Sequence, residues 1–595
     1  MTVWLPSKNR QMNSIIWGRF CFSPVTFTGG KALPFFAMSG LLKCLYQTME
    51  ALMTCCARIV NSIRIKIVTI YSHSPLFSLR LSLLLLCFTA SAAPAFANNA
   101  TIRNVALVER DTDDNTVQVE FDLSWQNAWS DGVNHDAVWV FVKYSTAGSS
   151  GPWYHATLKS SGTNPSGYDR GIKDTSSDVT PTVPASDFTS ITMVVSSDHK
   201  GAIIKPGHLA GSAGTVNFDD VQLVWDYGAD GITDANVRAS NTYIKVFAIE
   251  MVYIPEGGFI AGDGQSGTNG QFETGDGTSN VAPSVNSESG ISFRNGSNDA
   301  WYYNTDSGAN DAASGASFDV SESFPKGFQA FYLMKHELTQ GMYMQFLNTL
   351  TSTQDSNHFP NSNGTNRHEI AGSAGSRTVG NADRACNFLL WQDLAAFADW
   401  AALRPISELE FEKAARGPLT PVSAEYAWGT TTKNNCATIS GTEDGTETCS
   451  TGSANANFGN TTFTGGDTGS GPLRVGIFAA STNSRASTGA GFYGNMELTG
   501  NVAEMTVTLG NAAGRGFAGS HGDGVLNTNG YATNEDWPGF VFGMGVTAAT
   551  GQGIRGGGWS DSTNARGEIS DRNLAADEIG SRNNKRGGRC ARTAP

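Results

Sequence analysis

The sequence predicts an α+β protein in which short strands dominate, with a β-sandwich over residues 98–247 followed by a larger α+β domain over 248–595. Three observations predict it. Gly accounts for 68 of the 595 residues and charged residues for 16%, a balance that favours turn-punctuated strands over long helices. Val117, Val119, Phe121, Leu123 and Trp125 alternate with Gln118, Glu120, Asp122 and Ser124, the period-2 pattern of a strand with one buried face. Ser407, followed three residues later by Glu410, has the form of a capping box and opens one of two segments with helical spacing. A chain of this length exceeds what one core usually serves. The hydrophobic content of 40% excludes wholesale disorder.

At the amino terminus, Arg80 precedes the apolar run Leu81 to Ala90, and Ala95-Phe96-Ala97 places small residues at −3 and −1 of a signal-peptidase site, so the mature chain is expected to start at Asn98. The run is too short for the ~20 residues that span a bilayer, and no transmembrane anchor is expected in the mature chain. Cys87 follows Leu84-Leu85-Leu86, not the small residue that lipid attachment requires. Residues 1–79 are long for a segment upstream of such a run and fit translation from an incorrect start, with Met53 as the alternative. The protein is therefore expected to be exported to a periplasm, a cell surface or the medium.

In the 98–247 region a second strand, Val138 to Val142, is apolar on both faces, and further apolar runs follow at Ile191–Val195, Val221–Trp225 and Tyr243–Ile249. Asp111, Asp113 and Asn115 have the 1-3-5 spacing of a calcium loop, but Thr116 stands where that loop needs Gly, which favours a hairpin turn. Trp125, Trp129, Trp139 and Trp153 fit either a sugar-stacking face or core packing. Across the chain, 40 Lys and Arg stand against 54 Asp and Glu, a net charge of −14, so no positive field gathers nucleic-acid phosphates.

From residue 248 the sequence becomes specific. Met251 to Gly262 (MVYIPEGGFIAG), Phe331 to Thr339 (FYLMKHELT), Arg404 to Gly417 (RPISELEFEKAARG), Tyr426 to Gly429 (YAWG), Thr499 to Glu504 (TGNVAE) and Ile554 to Trp559 (IRGGGW) follow in that order. These blocks resemble those of the sulfatase-modifying-factor family, the formylglycine-generating enzymes and their relatives. The resemblance implies a C-type-lectin-like fold. Independently of it, Leu409, Ala414 and the stem of Lys413 continue a helix from Ser407 until Gly417-Pro418 stops it, and Leu394, Phe397, Ala398 and Ala401 share one face of a helix over 392–403. The polar stretch between Gly262 and Ser323 fits a surface insertion at about 263–322 anchored by Trp301-Tyr302-Tyr303, with disorder as the other reading.

The resemblance also implies two structural calcium sites. One consists of the Glu497 side chain, the Gly500 and Val502 carbonyls and the Glu504 carboxylate; the other of Asn457, the Phe458 carbonyl, Asp467 and the Gly469 carbonyl. Oxygen donors of this kind suit a hard cation, although the same carboxylates could simply cap turns. Loss of the leader leaves Cys386, Cys436, Cys449 and Cys590. Cys436 and Cys449 bracket a Gly/Thr-rich loop and are expected to be bridged. In the family the cysteine at the position of Cys590 is tied to a helix cysteine; that position is Ala398 here, so Cys386 is the expected substitute partner.

Oxidase members of the family hold copper on two thiolates in the stretch after the Gly-Gly-Trp strand, and between Trp559 and Gly588 this chain has no cysteine. Iron-dependent relatives use closely spaced histidines. His336, His358, His368 and His521 are scattered and read as solvated loop or strand residues. Copper and iron are therefore set aside as cofactors. The expected function is a calcium-stabilised ligand-binding module that presents Trp559, Ser560, Asp561, Asn564, Asp571, Arg572 and Asn573 to a protein, peptide or glycan. The alternative is an oxidase or oxygenase with relocated chemistry acting on a protein or peptide. Intact-mass analysis of exported protein should place Asn98 at the amino terminus; retention of residues before Ala90 would contradict the leader assignment.

Overall fold

Strand Tyr243–Ile254 carries the organisation of the molecule, because it is hydrogen-bonded along both edges to strands from opposite halves of the sequence. The computed structural model describes residues 100–595 except 132, 160–190, 207–208, 265–269, 279–280, 306–309, 460–461, 480–483 and 579. The leader and Asn98 lie outside the described residues. The strands used below are β1 (Thr101–Asp111), β2 (Thr116–Ser130), β3 (Asp136–Ser145), β4 (Ile191–Val195), β5 (Ala202–Pro206), β6 (Leu209–Asp226) and β7 (Tyr243–Ile254). They are followed by β8 (Phe331–Met334), α1 (Gln340–Leu347), α2 (Trp391–Trp400), β9 (Arg404–Pro405), α3 (Glu408–Arg416), β10 (Ala503–Val507), β11 (Gln552–Arg555), β12 (Arg586–Gly587) and β13 (Cys590–Thr593). Strands predominate and helices are few.

One mixed-origin sheet runs in the order β9-β13-β8-β7-β3-β5-β4, with the short strand Tyr154–His155 added against β3. Within β7, Met251 and Val252 pair with Ala137 and Asp136 on one side and with Met334 and Leu333 on the other. A second sheet, β1-β2-β6, turns the alternating residues Val117, Val119, Phe121, Leu123 and Trp125 toward Val138, Val140, Val142 and Ile204 of the first. The opposite face of β3, with Trp139 and Phe141, packs on α2 and its surroundings. This two-sided burial is why Val138–Val142 is a continuous apolar run. Each fully buried side chain of that size contributes roughly 1.5–3 kcal/mol. Trp139 also donates from Nε1 to the Ala401 carbonyl at 2.8 Å.

The Asp111 carboxylate accepts from the Asp113 and Asp114 amides at 2.9 and 3.1 Å, so Asp111 closes the turn of the β1–β2 hairpin. The polar stretch before Ser323 is more integral than a surface insertion. It forms a sheet of Glu273–Gly275, Ser297–Tyr302, Ile291–Phe293 and Phe318–Val320. Phe272, Phe293, Trp301, Tyr303 and Val320 enter the main core. Its polar composition hid that role, because a few large rings suffice to bury it.

Cys436 and Cys449 form a disulfide whose Cα atoms are 5.9 Å apart. The expected bridge between Cys386 and Cys590 is not formed: both are free and buried. Each is held by a different neighbour. The Cys386 amide donates to the Leu338 carbonyl at 2.7 Å, and the Cys590 amide, on β13, lies 3.1 Å from the Met334 sulfur. Burial pushes both thiols up, so they remain protonated apolar filler. The mature protein should therefore expose no thiol to Ellman's reagent when native and two after denaturation without reductant. Finding none after denaturation would show that Cys386 and Cys590 are bridged.

Candidate functional site

Helix α3 begins with the capping box read in the sequence. The Ser407 hydroxyl accepts from the Glu410 amide at 3.1 Å, and the Glu410 carboxylate accepts from the Ser407 amide at 3.0 Å. Every residue of α3 is buried, including Glu408, Glu410, Glu412, Lys413 and Arg416. Buried charges need partners, and the partners define the site. Glu408 binds Arg555 at 3.0 Å and Arg572 at 2.7 Å; Glu412 binds Arg555 at 2.6 Å. Arg416 reaches Glu425 at 2.5 Å, and Glu410 pairs with Arg404 at 2.6 Å. One helix thus grips Arg555 at the end of β11 and Arg572 farther along the chain, which fixes both ends of the segment between them.

That segment makes a tight exit from β11. Gly556 and Gly557 have φ of 78° and 61°, and a Cβ on Gly557 would meet the Phe458 ring at 2.8 Å. Trp559 is buried, with its indole donating to the Asn584 carbonyl at 2.8 Å. Asp561 accepts from the Gly558 amide at 2.9 Å and pairs with Arg566 and Lys585. Burial pushes its carboxyl up, but the bonds from Lys585, Gly558 and Arg566 hold it below the usual range. Arg572 stacks over the Phe272 ring at 4.3 Å.

The expected ligand-facing residues therefore divide. Trp559, Asp561, Asp571 and Arg572 are buried, and this corrects their assignment as presented groups: Asp561 and Arg572 are needed to neutralise internal charges, while the indole of Trp559 is turned inward. Ser560 and Asn573 are half-buried, and Asn564 is exposed. Ser562 and Thr563, absent from the expected set, are exposed beside Asn564. Lys433 joins them from another loop, donating to the Asn564 side chain at 3.0 Å while lying over the Phe458 ring at 3.8 Å. No spacing in the sequence signals that convergence. Glu568, also half-buried, is pushed up to about 7 by burial and by Asp263.

Three of the four histidines, His336, His358 and His368, are buried, and His521 is half-buried. His358 lies 3.0 Å from Asp393, His368 is bonded to Asn387 at 3.0 Å, and His521 accepts from the Thr593 amide at 3.0 Å. His336 is buried between Glu250 and Glu497. Each fills a core or junction position, which sequence spacing does not reveal.

The two implied calcium sets differ in fit. In the first, Glu497, Gly500 and Asn501 have φ of 56°, 88° and 56°, an irregular loop able to turn carbonyls inward. Glu497 and Glu504 each keep one buried carboxylate oxygen without a hydrogen bond. Burial raises the Glu337 carboxyl, and the charges of Glu497 and Glu504 raise it further. The only cation paired directly with Glu504 among the described residues is Arg589, at 2.6 Å. The two orphaned oxygens are hard donors, but among the described residues no group of three or more His, Cys, Asp or Glu side chains is placed to hold a metal ion. In the second set, Asp467 is engaged by Arg367 at 3.1 Å and Arg384 at 2.8 Å, and the Gly469 carbonyl accepts from the Phe463 amide at 3.2 Å. The Asn457 amide nitrogen donates to the Gly471 carbonyl and to Asn501, at 3.1 and 3.0 Å, while its Oδ1 is buried without a hydrogen bond. Two guanidinium groups already neutralise the Asp467 carboxylate, so this set lacks the free anionic ligand that a calcium ion takes. The Phe458 ring is buried and lies under Lys433, which it supports from below.

Residues 311–594 match the family model of the sulfatase-modifying factor enzyme 1-like domain, so this part of the chain is a domain of that family. The Met251–Ile254 block precedes the matched region but pairs directly with β8 inside it. No curated protein matches the chain.

Removal of divalent cations with EDTA should lower the melting temperature, and 1 mM Ca²⁺ acting on a site with Kd near 10⁻⁴ M should restore roughly 1.4 kcal/mol. Glu497→Ala should abolish most of that response; a full response in the variant would remove Glu497 from the ligand set.

Proposed function

We propose that residues 248–595 form a calcium-stabilised recognition module of an exported protein, built on a C-type-lectin-like scaffold and without oxidase activity. The observation that carries this reading is the segment from Trp559 to Gly588. It has no cysteine, whereas the family's oxidases place two copper-binding thiolates there. Its ionised groups instead brace a loop from within, Asp561 against Arg566 and Lys585, and Arg572 against Glu408. The free thiols among the described residues, Cys386 and Cys590, are buried and held protonated, which makes them poor soft ligands.

A braced loop that exposes hydroxyl and amide groups suits recognition. Ser562, Thr563 and Asn564 can each donate and accept hydrogen bonds, and Lys433 adds one cation beside them. Such a surface loses little conformational entropy on binding because the loop is already fixed. The ligand is a protein, peptide or glycan with polar groups complementary to that surface. The first calcium set belongs to the scaffold and lies in the Glu497–Glu504 loop, whose Asn501 carbonyl accepts from the Trp559 amide at 2.8 Å. Calcium would therefore also steady the start of the recognition loop.

The test is direct. The folded protein, incubated with a sulfatase-type cysteine peptide, oxygen and either copper or iron, should yield no aldehyde above a boiled control. Aldehyde formation would overturn the reading in favour of relocated oxidative chemistry.

A further inference from the structure

A cleft of about 450 Å³ lies where the two halves of the chain share the large sheet, away from the Trp559–Gly588 segment. Its lining is supplied by both halves. His135, Thr192, Val194 and Lys205 come from the first, Tyr332, Ala594 and Pro595 from the second, and Tyr253 from the shared strand β7. The volume is within the ~300–1,000 Å³ range of small-molecule sites.

Three rings form a ladder across adjacent strands. The Tyr253 amide donates to the His135 carbonyl, and Tyr253 is paired with Tyr332 across the β7–β8 ladder. The His135 and Tyr253 rings are stacked, with centroids 4.7 Å apart and planes 12° apart; Tyr253 and Tyr332 are 5.3 Å apart. His135 Nδ1 lies 3.1 Å from the Val133 carbonyl and so carries the proton there, leaving Nε2 to accept from the Tyr332 hydroxyl at 3.1 Å. Burial, with Lys205 nearby, lowers the imidazole to about 4 and keeps it neutral. The His135 and Tyr332 polar atoms are thus satisfied internally.

Other polar groups are not. Lys205, the one lysine or arginine among the lining residues, has no ion-pair partner among the described residues, and no hydrogen bond is made by the Tyr253 or Thr192 hydroxyls there. The one carboxylate of the lining is the terminal group of Pro595, which makes no ion pair with Lys205. Val133 and Val194 leave apolar surface exposed at the rim, at 61% and 40%. An aromatic wall favours a ring with an apolar face, and an unpaired ammonium favours an anion.

We propose that this cleft binds a small ring compound bearing a carboxylate, with the ring against Tyr253 and the carboxylate on Lys205. The same chemistry is offered by a uronic acid residue of an acidic glycan and by an aromatic acid. The site gives the first half of the chain a role: it completes a pocket that the family domain alone lacks.

Calorimetric titration of the full chain with glucuronate, benzoate and glucose tests the proposal. Saturable binding of glucuronate or benzoate, with none of glucose, is expected; which acid binds identifies the source. Lys205→Met should weaken that binding at least tenfold, and Val194→Trp, which fills the cleft from an exposed strand position, should abolish it. Both variants alter half-buried or exposed side chains, and circular dichroism verifies their fold. Absence of saturable binding by either acid, glucose binding as tight as that of the acids, or acid binding unchanged in both variants would overturn the proposal.

Discussion

The buried ion network on α3 is the constraint on which the rest of the site depends. Glu408 and Glu412 cannot be held ionised in a core without guanidinium partners, and Arg555 and Arg572 are the partners that the fold supplies. Removing one member strands the others as uncompensated buried charges, typically at a cost of about 3–5 kcal/mol. The consequence is geometric. Because two arginines 17 residues apart in sequence attach to one helix turn, the chain between them is held at both ends and can present a fixed surface.

A second constraint joins the halves. Strand β7 is paired on both edges, so the sheet continues from the family domain into the amino-terminal region without an intervening linker. Buried charges reinforce the seam: Lys335 of the family domain bonds Asp136 of β3 at 3.0 Å and lies 3.3 Å from Glu250 of β7. Burial raises the Asp136 carboxyl to about 6 even with Lys335 beside it. Arg592 crosses the same seam, pairing with Asp198 at 2.6 Å and lying 4.2 Å from the Trp139 ring centre. The halves are therefore connected by backbone pairing, side-chain charge and ring contacts.

Where local chemistry determined structure, the sequence was legible. The Ser407–Glu410 cap, the alternating face of β2, the two-sided run in β3 and the Cys436–Cys449 bridge all follow from spacing and residue type within a short window. The matched domain was likewise recognisable from ordered blocks. What was not legible required distant partners. Asp561 and Arg572 look like recognition residues in a polar segment, and only the fold brings Lys585 and Glu408 to them. Asp467 resembles a calcium ligand until Arg367 and Arg384, about 100 and 83 residues away in sequence, arrive at its carboxylate. The pairing of Cys386 with Cys590 failed for the same reason, since the burial of both does not orient one sulfur toward the other.

Held by the network on α3, the segment after Trp559 is a rigid support carrying a small exposed tip. Hydrogen exchange along the native chain tests this rigidity most directly. Amides of residues 553–561 and 569–576 should exchange as slowly as those of β7, with rapid exchange confined to the tip around Ser562–Asn564. Rapid exchange throughout residues 559–586 would contradict the account, because a segment that opens freely cannot be braced by the buried network on α3.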